Sequence, residues 1–152
     1  MNRIETKRPA GYDEDFALWS AEQAALLRAG QFDRVDQQHV AEEIEDLGES
    51  QRSEIESRMS VLLAHLLKWQ LQPQARSNRW LATIVEQRTR IARRIKKSPS
   101  LRPYPALVLD EEYPVARLHA AGETGLPLSL FPEACPYAVE QVLDPDFLPS
   151  GE

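Results

Sequence analysis

A chain of 152 residues that is 42% hydrophobic and 28% charged, with a mean hydropathy of −0.47, has the composition of a soluble globular domain and excludes a disordered one. Its net charge of −6 and pI near 5.2 weigh against attraction of the whole molecule to nucleic acid or to an anionic membrane. The single cysteine, Cys135 in FPEACPY, excludes an intrachain disulfide and a zinc site of the CxxC kind, and is read as a small buried apolar residue.

The opening MNRIETKRPAGYDED lacks the apolar core of a secretory signal. Residues 1–11 are read as a flexible N-terminus, residues 12–149 as one helical domain, and residues 150–152 as the C-terminal end. Asp13 is placed as the cap of a first helix, with Glu14 and Asp15 in its first turn and Gly30 as its stop. Tyr12, Phe16, Trp19, Gln23, Leu26 and Leu27 share its inner face. A second helix is expected from Asp36 to about Leu47, with Val40, Ile44 and Leu47 inward and Gly48 bending or ending it.

The longest helix is expected over 50–72. Ile55, Met59, Leu62, Leu63, Leu66, Leu67 and Trp69 fill a wide arc there, which marks it as central, and Pro73 terminates it. Its apolar run VLLAHLLKWQL is broken by His65 and Lys68 and is too short to span a bilayer. The chain is therefore assigned to the cytoplasm, with no membrane contact. A fourth helix starts at Ser77 or Asn78 and stops at Ser98. Beyond it prolines multiply. A helix kinked at Pro114 is expected over about 106–121 and a short one over about 137–143, with the remaining apolar residues packing as an ordered tail. No useful stretch alternates with period two. The expected fold is all-α: a compact single-domain bundle of about five helices with a proline-rich C-terminal tail packed on it.

On the fourth helix Trp80, Leu81, Ile84, Val85, Ile91, Ala92 and Ile95 form an apolar stripe, and a rotation of about 100° per residue puts Arg88 inside it. An unpartnered buried guanidinium would cost several kcal/mol, so a carboxylate is expected beside it. Glu43 is the expected partner, with Glu42 or Glu86 next, and the pairing is read as structural or as the holder of a small anion.

The segments LWSAEQAALLRAGQFDRVD, EEIEDLGESQR, LLAHLLKWQLQP, RSNRWLATIVEQR, SPSL, ETGLP and FPEACPYAVEQVLDPDFLP together resemble the bacterial family catalogued as domain of unknown function 29. The resemblance covers nearly the whole chain. It implies a helical single domain and brings no activity, cofactor or catalytic residue with it.

His39, His65 and His119 fall on different helices, and Asp36-x-x-His39 is only a fragment of a di-metal helix motif, so no metal or cofactor is assigned and His65 is read as the edge of the core or of a polar site that also includes Glu86. No phosphate loop, nucleophile elbow or zinc-protease motif is present, which disfavours an enzyme. The region 76–97 carries eight basic residues against one acid, with Arg90, Arg93, Arg94, Lys96 and Lys97 forming a basic surface. Nucleic-acid binding by that helix is the alternative reading, disfavoured because no recognition turn precedes it. The favoured reading is an interaction module that binds another protein or itself, including as a homodimer; a small-anion or metal site between helices is the other alternative.

Overall fold

The structure, a computed structural model, describes residues 9–151. Among these residues are five α-helices and no strand: α1 (Phe16–Arg28), α2 (Gln37–Leu71), α3 (Asn78–Lys97), α4 (Tyr104–Thr124) and α5 (Val139–Leu143). Contacts divide the chain into two units, one ending at Glu49 and the other beginning at Ser50, so the boundary lies within α2. Most of the expected flexible N-terminus, residues 1–8, lies outside the described residues, as does Glu152; Ala10 is described, and its amide donates to Glu22 Oε2 at 2.9 Å.

In the N-terminal unit the cap of α1 is Asp15, whose Oδ1 accepts from the Leu18 amide at 3.0 Å, and not Asp13. Glu14 and Asp15 instead close a turn on the Gly11 carbonyl, which delays the helix. Trp19 and Gln23 are buried, while Phe16 and Leu27, expected on the inner face, are exposed by 49% and 42%. Ile44 and Leu47, expected inward on α2, are exposed by 63% and 66%.

Gly48 neither bends nor ends the second helix; the two expected helices are one helix of 35 residues. A helical glycine costs only about 1 kcal/mol relative to alanine, and the Glu, Gln and Arg residues around it are good helix formers, so propagation wins.

The C-terminal unit has a continuous core. Ile55, Met59, Leu62, Leu63, Leu66 and Leu67 of α2 are fully buried and meet Ile84 and Ile91 of α3, Val108, Tyr113, Ala116 and Ala120 of α4, and Val142 of α5. Ser77 caps α3 by accepting from the Trp80 amide. Helix α4 starts at Tyr104, earlier than expected, because Pro103 and Pro105 occupy first-turn positions whose N–H groups would have no partner. It also runs through Pro114 to a left-handed Gly125 with φ 72°. An interior proline costs about 3 kcal/mol. Burial of Val108 and Tyr113, at about 1.5–3 kcal/mol for each fully buried large side chain, outweighs it. Beyond α4, Phe131 and Tyr137 enter the same core, with Leu126, Leu143 and Phe147 packed against it. Tyr113 donates its hydroxyl to the Pro132 carbonyl at 2.5 Å, and Arg117 donates to the carbonyls of Leu128 and Phe131.

Candidate functional site

The apolar period of α3 carries Arg88 into the C-terminal unit, where the residue is only 6% exposed. Its partner is not a carboxylate. Nε donates to the Val142 carbonyl at 2.8 Å and Nη2 to the Gln141 carbonyl at 3.2 Å. Both carbonyls lie in the last turn of α5, where that of Gln141 also accepts from the Asp144 amide at 3.3 Å, so the guanidinium adds to the capping of a five-residue helix and sits at the negative end of its dipole. The expected pairing with Glu43 is therefore corrected: Glu43 accepts from the Tyr12 hydroxyl, Glu42 from Gln38 Nε2 at 3.3 Å, and Glu86 from Arg90 Nε at 2.9 Å. A main-chain acceptor in a loop-flanked helix leaves no trace in side-chain spacing, so sequence reasoning could only look for an acid. Burial pushes the Arg88 pKa down and the nearby Asp144 carboxylate opposes that shift. A guanidinium remains charged throughout.

Two adjoining hollows flank this arginine, of about 320 Å³ and about 300 Å³. They share Arg88, Ala92 and Leu143. The first is completed by Ile91, Ile95, Lys96 and Arg102, the second by Val85, Thr89 and Pro145. No acid lines either one.

The sequence from residue 12 to residue 148 matches the family model described as Domain of unknown function DUF29. The chain belongs to that family. No curated protein and no solved structure matches it.

Elsewhere on α3 of this DUF29 chain, the basic surface is partly neutralised. Burial alone would raise Glu54, but hydrogen bonds from Arg58 and Arg94 hold it below its ordinary range, with Arg94 Nη2 at 2.6 Å. Arg90 pairs with Glu86, whereas Arg93, Lys96 and Lys97 have no ion-pair partner among the described residues. Arg90, Arg93, Arg94 and Lys97 line a hollow of about 190 Å³ with Glu54.

His65 does sit at the core edge: Nδ1 lies 2.8 Å from the Val61 carbonyl, and burial lowers its pKa. Glu86 is not in that neighbourhood of contacts; its bond is to Arg90. One turn on lies Lys68, a site residue that the sequence did not single out and that is 6% exposed. Its ammonium is 2.6 Å from Glu123 Oε2 and 4.7 Å from the centroid of the Trp80 ring. The i,i+3 spacing of His65 and Lys68 was visible, but the carboxylate and ring come from α4 and α3.

The DUF29 chain carries a second polar cluster in its N-terminal unit. Asp36 Oδ2 accepts from His39 Nδ1 at 2.7 Å and from Trp19 Nε1 at 3.2 Å, and the Asp36 amide donates to Gln23 Oε1 at 2.8 Å. His39 stacks on Tyr12, with centroids 4.1 Å apart and planes 9° apart. Asp36-x-x-His39 is thus a hydrogen-bonded pair that ties α1 to the start of α2. Among the described residues no group of three or more His, Cys, Asp or Glu converges on one point. The hydrogen bond to Glu43 pushes the Tyr12 pKa up to about 12.

Proposed function

We propose that this DUF29 chain is a self-associating interaction module, its N-terminal unit docking on the basic helix α3 of a second copy. The observation that carries the reading is the exposure of large apolar side chains: Phe16, Phe32 and Ile44 are exposed by 49%, 61% and 63% in a unit whose helix α1 buries only Trp19 and Gln23. Helix pairs with so small a core gain stability by covering such residues. The occupant follows from charge. Residues 13–49 hold eleven acids and two arginines, so a symmetric contact between two such units would set acid against acid. Residues 76–97 hold eight basic residues and one acid, so a heterologous contact pairs opposite signs. The nucleic-acid alternative is weaker on the same surface, because Arg90 and Arg94 are already committed to Glu86 and Glu54.

Light scattering and sedimentation over a range of concentration and salt test the reading. Association should rise with concentration and fall as salt screens the contact. The Arg93→Glu/Lys97→Glu variant and, separately, Ile44→Glu should be monomeric with unchanged helicity. A wild-type protein that stays monomeric at high concentration and low salt overturns it, as does association unaffected by either variant.

A further inference from the structure

We propose that the two hollows beside Arg88 form a binding site for a single-chain amphiphile, an aliphatic tail carrying a carboxylate or phosphate headgroup. The site is built from a buried polar group with unused capacity. Arg88 spends Nε and Nη2 on the α5 carbonyls, while Nη1 has no hydrogen-bond partner among the described residues. The one sealed side-chain nitrogen lacking a partner there is Nη2 of Arg76, so Nη1 of Arg88 keeps access to solvent. A charged donor held in place by two hydrogen bonds, with its remaining N–H groups unspent, is prepared for an anion without further ordering.

The surroundings choose the kind of anion. Lys96 and Arg102 line the first hollow beside Arg88, and neither forms an ion pair among the described residues. Asp144, whose charge acts on Arg88, lines neither hollow. The rest of the lining is aliphatic, with Ile91, Ile95, Val85 and Pro145 and the shared Ala92 and Leu143, apart from Thr89, whose hydroxyl is spent on the Val85 carbonyl at 2.8 Å. Inorganic phosphate or a sugar phosphate would leave that surface wet, and a neutral hydrocarbon would leave the unspent N–H groups of Arg88 and the charges of Lys96 and Arg102 unused. A headgroup in the first hollow with a tail along Ala92 and Leu143 into the second answers both. Each volume is at the lower end of the ligand-pocket range of roughly 300–1,000 Å³, which suits a short chain. The proposal does not depend on self-association, which is tested separately at Arg93, Lys97 and Ile44.

Calorimetric titration of the intact protein with decanoate, decyl phosphate, decanol and inorganic phosphate provides the test. Either decyl anion should saturate one site, the tighter of the two naming the headgroup, with decanol and inorganic phosphate each weaker by about tenfold or more. Arg88→Met disturbs α5 as well, so the informative variants lie on the rim. Lys96→Glu/Arg102→Glu should weaken both anions by about tenfold, and Ala92→Phe should block the tail, each with an unchanged melting temperature. Decanol binding as well as decanoate, no saturation by either anion at millimolar concentration, or variants that bind like wild type would each overturn the proposal.

Discussion

Lys68 shows how one residue's surroundings decide its worth. Its ammonium is nearly inaccessible and is held by a carboxylate that is itself 51% exposed in its side chain. Removing the carboxylate strands the charge; removing the ammonium leaves a carboxylate that water can solvate. Glu123→Gln is therefore expected to cost about 1–2 kcal/mol. The loss is limited because the Trp80 ring still faces the cation. Lys68→Met should cost less, since its methylenes already lie in the core. Denaturant melts of the two variants check this, and the reverse order of stabilities would contradict it. Arg88 obeys the same logic with different acceptors: the need for compensation was legible in its position on the stripe, but the carbonyls of Gln141 and Val142 were brought to it by a segment more than fifty residues away.

Among the helices, two glycines occupy opposite situations. Gly48 lies inside α2 with nothing within 4 Å of an added Cβ, so Gly48→Ala should stabilise the helix by about 0.5–1 kcal/mol. Gly125 ends α4 at φ 72°, and Gly125→Ala should destabilise by about 1 kcal/mol, because a Cβ crowds the left-handed conformation. Thermal unfolding should therefore move in opposite directions for the two variants. The reading of Gly48 as a break failed because local propensity is a small quantity beside cooperative propagation on both sides. That of Ala121 as an end failed because the stop signal lay further on, at Gly125.

At the scale of the molecule, the two units respond to pH in opposite senses. The hydrogen bond to Asp36 raises the His39 pKa above 6.5, so His39 supports the N-terminal unit below pH 6.5 and that support is lost as pH rises through the raised value. Burial lowers the His65 pKa below 6.5, so its contribution to the C-terminal unit is complete above pH 6.5 and is lost as pH falls through the lowered value. Hydrogen exchange between pH 5 and pH 8, corrected for intrinsic rate, should show protection near Trp19 increasing toward acid and protection near Leu66 decreasing. Parallel trends in both units would count against these assignments. The charge division between residues 13–49 and 76–97 belongs to this scale too, since it would make the proposed self-association salt-dependent.

The helical class, the start of α3 at Ser77 or Asn78, the central apolar arc of α2 and the burial of Arg88 were determined by the sequence alone, because each depends on periodicity or on chemistry within a few residues. Which groups Arg88, Lys68 and Glu43 engage, and which apolar side chains of the N-terminal unit are left uncovered, only the tertiary structure decided. Such contacts depend on where distant segments of the chain meet, and residue spacing within one helix carries no information about that.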